Sequence, residues 1–257
     1  MSNTSAAAPD DGSSDFIHNP TWRVFRIMSE FVEGFTFLAS IQRSVTIFGS
    51  ARLPEGTHYY QLARMLGRRL AIQGFTVVTG GGPGIMQAGN QGAVEGGGES
   101  VGLNIQLPRE QGTNPYVRQG ASFHYFFSRK VMLDFSAEAY VFFPGGFGTL
   151  DEFFELVTLL QTDKMDRVVP IVLIGREFWE PLIAWMETVM VQRMRTVAPE
   201  DLHLWQLTDD LDEAMRIIEE GVRQRTEHEQ PTSGTPAAAL NAKLRHAGHV
   251  SAAELAK

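Results

Sequence analysis

The sequence predicts one α/β domain built on a Rossmann-like, doubly wound, mostly parallel sheet with helices on both faces. Apolar runs of strand length alternate with longer amphipathic stretches between residues 44 and 221, and several of these runs are apolar almost throughout. A parallel strand covered on both faces has no solvent side, so it loses the period-two alternation of a half-exposed strand. Punctuation agrees: glycine clusters fall where strand-like runs stop. In open parallel sheets, ligands sit at the carboxyl ends of strands, near a topological switch point.

In chain order, residues 1–15 are rich in Ser, Ala and Asp, with neither a basic region nor an apolar stretch. They read as a disordered tail and not as a signal peptide. Residues 22–40 read as an extra N-terminal amphipathic helix. Strands are expected at 44–48, 75–79, 100–105, 121–126, 139–143 and 168–174. Helices are expected at 57–73, 84–96, 129–137, 149–161, 177–193 and 209–221. Residues 226–257, with their Pro, Ser, Thr, Gly and Ala content, read as a second tail, disordered or partly helical, which leaves residues 16–225 as the domain.

Composition narrows the function. The chain has 257 residues, 43% hydrophobic and 20% charged, enough for one sizeable core. A formal net charge of -8 is the opposite of a surface that tracks nucleic-acid backbone, so no nucleic-acid partner is expected. The absence of cysteine excludes disulfides, iron-sulfur clusters, thiolate zinc sites and cysteine nucleophiles, and fits a cytoplasmic protein. No run approaches the roughly 18 apolar residues that would span a bilayer, so no membrane partner is expected. The seven histidines show no ligand spacing, and no metal site is expected. His124 reads as a packed strand residue.

Four segments carry candidate chemistry. Gly80-Gly81-Gly82-Pro83-Gly84 leaves a strand and enters a helix, where small residues let backbone amides approach an anion with the helix dipole behind them. It is not G-x-G-x-x-G, and no Gly-Lys pair exists for a phosphate-binding P-loop. Gly49-Ser50-Ala51-Arg52 closes the first strand with a hydroxyl and a cation, which suit a phosphate or ribose, or a plain cap and a solvated Arg. Ser128-Arg129-Lys130 places two cations at the expected head of a helix. Cations there oppose the dipole, so an anionic partner is expected, either Glu152 or a substrate phosphate. In Pro144-Gly145-Gly146-Phe147-Gly148-Thr149-Leu150-Asp151-Glu152, the glycines open a bare-backbone pocket at a strand end and Glu152 offers a carboxylate at its lip. Thr149-x-x-Glu152 also reads as a capping box, in which both side chains would merely satisfy helix-start amides.

Taken together and in this order, these motifs resemble the Lonely Guy (LOG) phosphoribohydrolases, including their longer bacterial members, often mislabelled as lysine decarboxylases. The resemblance covers about residues 22–161 and extends towards 221. It implies hydrolysis of a nucleoside 5′-monophosphate, AMP or an N6-modified AMP such as a cytokinin ribotide, to free base and ribose 5-phosphate. No redox cofactor or catalytic metal is implied. By carry-over, Arg129 and Glu152 match the catalytic pair, and Gly49, Ser50, Gly81, Gly82, Gly84, Lys130, Gly145, Gly146, Gly148 and Thr149 match substrate-binding positions. A homodimer or larger homo-oligomer is implied as well. Phe126-Phe127-Ser128 departs from the Met-His pair that compact members carry before the Arg-Lys pair. A carrier of nucleotide or molybdenum cofactor, without catalysis, is the alternative, since related folds use similar Pro-Gly-Gly-x-Gly-Thr loops.

Overall fold

The computed structural model describes residues 20–106, 112–165 and 169–228. Helix α1 (Pro20–Ala39) precedes β1 (Ser44–Phe48), α2 (His58–Ile72), β2 (Thr76–Thr79), α3 (Ile85–Glu95), β3 (Ser100–Ile105), β4 (Gln119–Phe123), α4 (Phe126–Asp134), β5 (Ala139–Phe142), α5 (Phe147–Gln161), β6 (Ile171–Leu173), α6 (Arg176–Trp185), β7 (Gln206–Leu207) and α7 (Leu211–His228). A π-helical segment, Met186–Arg193, prolongs α6. The seven strands form one sheet in the order β4-β3-β2-β1-β5-β6-β7. Every pairing is parallel.

Residue alternation divides the core into two layers. Val45, Ile47, Val77, Val141 and Val172 pack with Leu66, Ala88 and Ile218 on the face covered by α2, α3 and α7. Phe48, Val78, Leu103, Tyr140 and Phe142 pack with Met132, Phe153 and Trp179 on the face covered by α4, α5 and α6. α1 joins this second layer through Phe31, Phe37 and Leu38. All five β1 residues are buried, and the hydroxyls of Ser44 and Thr46, which alternate with Val45 and Ile47, are both satisfied by Ser136.

The expected architecture is present, with local differences. The fourth strand is Gln119–Phe123 instead of 121–126, and α4 begins at Phe126, three residues before the expected 129. The aromatic run that looked like strand therefore forms the first turn of α4, where Phe126 and Phe127 stay exposed. β7 has two residues, too few to show a period. α7 continues to His228, so residues 226–228 belong to the helix and not to the tail. Residues 1–15 and 229–257 lie outside the described residues.

α2 and α3 pack backbone to backbone. A Cβ on Gly67 would fall on the carbonyl oxygen of Gly89, and one on Gly92 on that of Arg64. Neither obstacle can swing away, since each is helix backbone. We therefore expect Gly67→Ala to cost about 2 kcal/mol net, the overpacking penalty outweighing the gain in helix propensity. Urea unfolding with an unchanged midpoint would contradict this.

Candidate active site

The sheet reverses direction between β1 and β5. β1 is followed by α2 towards β2 on one side, and β5 by α5 towards β6 on the other. The loops leaving these two neighbours part there and open a crevice. A cleft of about 660 Å³ occupies it, walled by Gly49 and Ser50 after β1, Gly145 to Glu152 after β5, Arg129 and Lys130 from α4, and Phe126, Met86 and Phe178. A smaller polar recess of about 330 Å³ adjoins it across Gly80, Met86 and Arg129, and includes Gly81, Gly82 and Asn104.

Three loops hold one another. The Ser50 amide donates to the Pro144 carbonyl at 3.0 Å, and the Ile85 amide donates to the Ser50 carbonyl at 3.0 Å. Gly84 adopts a left-handed φ of +69°, and a Cβ there would strike the Ser50 carbonyl oxygen. Gly84 borders neither cavity; it is the point where the β1 and β2 loops touch. The Ser50 hydroxyl accepts from the Arg52 amide at 3.0 Å, which fits its local turn role.

A buried polar chain fixes the Gly80 loop from below. The Thr79 hydroxyl donates to Asn90 Oδ1 at 2.6 Å and accepts from the Gly81 amide at 2.9 Å. Asn90 Nδ2 donates to Ser100 Oγ at 2.8 Å. Asn114 Nδ2 donates to Asn90 Oδ1 at 2.9 Å and to the Gly82 carbonyl at 3.0 Å. Asn90 and Asn114 were not singled out from the sequence. A buried amide on the apolar face of α3 is the signal that could have found Asn90, since buried polar groups occur where they are fully bonded.

α5 starts at Phe147, with Gly146 as N-cap in extended conformation and no side-chain cap. The expected capping box is therefore absent. Thr149 is the third helical residue, and Glu152 lies in the second turn instead of reaching back to the helix start. Both are buried. Gly145 is required by packing, since a Cβ would strike the Thr149 side chain, whereas a Cβ on Gly146 or Gly148 would meet nothing within 4 Å. Neither of the latter two has a positive φ. Their smallness serves no internal contact; it leaves the amides at the start of α5 bare towards the cleft. Phe147 between them is 93% exposed.

Glu152 is 7% exposed, and its Oε2 has no hydrogen-bond partner. Burial lifts its pKa to about 7, although Lys130 and Arg129 pull the other way. Arg129 Nε donates to the Leu103 carbonyl at 2.8 Å, and its guanidinium lies over Gly80, where a Cβ would collide with it. Burial lowers the Arg129 pKa, opposed by the charge of Glu152. Lys130 is not a free charge for a phosphate. It bridges α4 to α5 through Asp151, at 2.8 Å, and Glu155. Burial opposes its charge, but these hydrogen bonds more than offset that and hold its pKa above the ordinary value.

Behind Glu152 lies Asp134, 3% exposed with an unpartnered Oδ1. Oxygens of Asp134, Glu152 and Glu155 lie within 4.8 Å of one another. Burial, then the nearby charges of Glu155 and Glu152, push Asp134 to about 8. In an acidic cluster this dry, neutralising by protonation is less costly than ionising every member. Asp134 and Glu155 escaped the sequence reading because carboxylates on helices ordinarily face water. His124, expected to be packed in a strand, is exposed beyond β4, with its ring edge-on to Tyr125 at 4.8 Å.

Of the residues singled out, the structure brings Gly49, Ser50, Arg129, Lys130, Gly145, Gly146, Gly148, Thr149 and Glu152 to the main cleft and Gly81 and Gly82 to the recess beside it. Among the described residues, no helix is long and apolar enough to cross a membrane.

Comparison with known proteins agrees with this arrangement. The family model described as "Possible lysine decarboxylase" matches residues 86–218, about half of the chain. A cytokinin riboside 5′-monophosphate phosphoribohydrolase of Rhodococcoides fascians is 31% identical over 163 residues, spanning 61% of this chain and 80% of that protein. The enzyme of the same name, LOG3, of Arabidopsis thaliana is 29% identical over 143 residues, 54% of this chain and 65% of its own. Among solved structures, the structural-genomics target TM1055 superposes with a TM-score of 0.51 at 24% identity, over 70% of this chain and 99% of that one. The molybdenum cofactor carrier protein of Chlamydomonas reinhardtii gives 0.54 at 20% identity, over 71% and 99%. At these identities the two structures share the fold. By the matched family model and the Rhodococcoides relative, the chain belongs to the LOG family of phosphoribohydrolases, the family whose model carries the lysine decarboxylase description.

Proposed function

We propose that the protein hydrolyses the N-glycosidic bond of a nucleoside 5′-monophosphate, AMP or an N6-modified AMP, releasing the free base and ribose 5-phosphate. The observation that carries the proposal is the buried Glu152 carboxyl, one oxygen unpartnered, set beside Arg129 in a cleft floored by the bare amides of α5. The phosphate would seat on the α5 N-terminus at Gly146 and Gly148, with Gly145, Thr149, Gly49 and Ser50 shaping the pocket and Gly81 and Gly82 lining its extension. Fixing that remote end positions the scissile bond.

As the bond from C1′ to the base nitrogen breaks, positive charge builds on the ribose. An ionised Glu152 stabilises that charge and orients water for attack at C1′. The water oxygen bonds to C1′, the bonding pair leaves with the base, and the proton lost by water balances the one the base gains. Lys130 and, after it, Arg129 keep Glu152 ionisable despite its burial. Lys130, held by Asp151 and Glu155, also steadies the same helix pair. A cytoplasmic homodimer, or a higher homo-oligomer, completes the proposal. The relatives' names support the reading, and the Arg129–Glu152 pair favours hydrolysis over carriage.

Incubation with a panel of purine, pyrimidine and N6-modified monophosphates, followed by chromatography of free base, tests the activity. Release from adenine nucleotides is expected; nucleotide retained intact across the panel would support a carrier instead, and hydrolysis of pyrimidine substrates alone would overturn the adenine assignment. Glu152→Gln should lower turnover about a hundredfold or more. Surviving activity would remove Glu152 from the mechanism.

The same variant has a stability signature. The folded-state pKa of Glu152, about 7, exceeds the ordinary carboxyl value of 4.5, so the folded protein holds the proton longer and loses stability as pH rises through this interval. The full shift corresponds to roughly 3 kcal/mol. Glu152→Gln should melt at or above wild type at pH 8, with the gap closing towards pH 5; a gap that widens towards pH 5 would contradict this. Gly148→Ala adds a methyl where the protein has only open space. It should leave melting unchanged or raised while weakening nucleotide binding about tenfold, on the order of one lost anchoring contact. Calorimetric titration with AMP showing unchanged affinity would count against phosphate at the α5 N-terminus.

A further inference from the structure

α4 presents Arg129 to the cleft, yet its own sequence supplies no cap: the N-cap is Tyr125, without a side-chain hydrogen bond to the helix start. An acceptor from α1 instead holds the two amides that lead into the helix. Glu30 Oε1 accepts from the His124 amide at 2.8 Å, and Oε2 accepts from the Tyr125 amide at 3.3 Å and from the Ser128 hydroxyl. Ser128 also donates to the Tyr125 carbonyl at 3.0 Å. One turn further along α1, Gly34 lies against α4 so closely that a Cβ would sit 2.5 Å from Met132 Sδ. The rings of Phe35 and Phe135 meet edge to face at 6.1 Å. α1 thus grips α4 at its N-terminus and near its C-terminal end.

We infer that Glu30 is a positioning residue for Arg129: its carboxylate, delivered from the N-terminal helix, fixes the start of α4 and so the place at which Arg129 enters the cleft. Three considerations carry this. Arg129 is the residue after Ser128, whose hydroxyl Glu30 holds. The Arg129 side chain is tethered at its far end, through Nε to the Leu103 carbonyl, so a shift of the helix start must either break that bond or distort the side chain. Finally, α4 carries two cations in its opening turns and no acidic residue in its first turn, an arrangement the helix dipole disfavours. Glu30 supplies the negative charge that the first turn of α4 lacks. A carboxylate accepting from backbone amides makes strong, charge-assisted hydrogen bonds. The inference rests on the catalytic reading of Arg129 proposed above, although its geometric half can be tested separately.

The test uses the full chain with Glu30→Ala, Glu30→Gln, Arg129→Ala and the double variant Glu30→Ala/Arg129→Ala. Turnover of AMP should fall about tenfold or more in Glu30→Ala, as expected when a reacting group is displaced by a fraction of an ångström to an ångström. Glu30→Gln, which keeps one oxygen acceptor, should recover part of it. In the Arg129→Ala background, Glu30→Ala should cost less than about twofold, because residues acting through one another are not additive. Equal fold-losses in both backgrounds would reduce Glu30 to general stability and overturn the inference. Independently of any activity, the Arg129 Nε–H resonance, identified by its loss in Arg129→Ala, should move in Glu30→Ala and lie between the two in Glu30→Gln. A resonance unmoved in both variants overturns the inference even if turnover changes. If the wild-type chain releases no base from any nucleotide, the proposed function falls while the resonance still decides the role of Glu30; if Glu30→Ala does not fold, the Glu30→Gln resonance and turnover decide it.

Discussion

The parallel pairing of β1 with β5, Val45 against Ala139 through Phe48 against Phe142, is the constraint on which the rest of the structure depends. These strands are neighbours in space but far apart in sequence, and their connections run to opposite sides of the sheet. No short loop can cover the gap between them. The gap is bridged instead by backbone groups of the loops themselves, Ser50 to Pro144 and Ile85 to Ser50. Gly49 and Gly84 have their size set by those close approaches, and Gly145 by the Thr149 side chain. The geometry that creates the crevice also dictates the residue types at its rim.

Into this crevice an acidic protein brings a local excess of its own sign. Asp134, Glu152 and Glu155 gather within a few ångströms, compensated by Lys130 and, at longer range, Arg129. The compensation is incomplete, and two carboxyls are left near neutrality in their titration. Such a group responds strongly to a developing positive charge or an arriving ligand. A fold selected for stability alone would have replaced Asp134 or paired its free oxygen.

The fold was legible because buried parallel strands leave an unmistakable mark: Val45–Phe48 and Ala139–Phe142 are apolar without alternation save for Thr46, whose hydroxyl is satisfied by Ser136. The cleft was legible because the glycine clusters sit at strand ends. The sequence rule failed at the start of α5. Thr149-x-x-Glu152 satisfies the capping-box pattern, but extended Gly146 begins the helix two residues earlier and carries Glu152 inward. Position within a helix, not residue type, decides between cap and buried acid. Lys130 shows the complementary lesson: a cation at the head of α4 did require anions, but Asp151 and Glu155 supply them from α5. The hold of α1 on the start of α4 was invisible, since Glu30 and His124 are 94 positions apart and no local pattern connects them.

The glycines after β5 look alike as letters, yet they answer to different demands. Gly145 is fixed by the Thr149 side chain, while Gly146 and Gly148 face open space. If the phosphate seats where we propose, folding and ligand recognition constrain separate positions of one short loop. A library screened for expression or protease resistance would accept side chains at 146 and 148 and refuse them at 145. With phosphate at the α5 N-terminus, as proposed, the same library screened for turnover would refuse all three. The difference between the two tolerance maps isolates the ligand's own footprint on the sequence, residue by residue, without a bound complex.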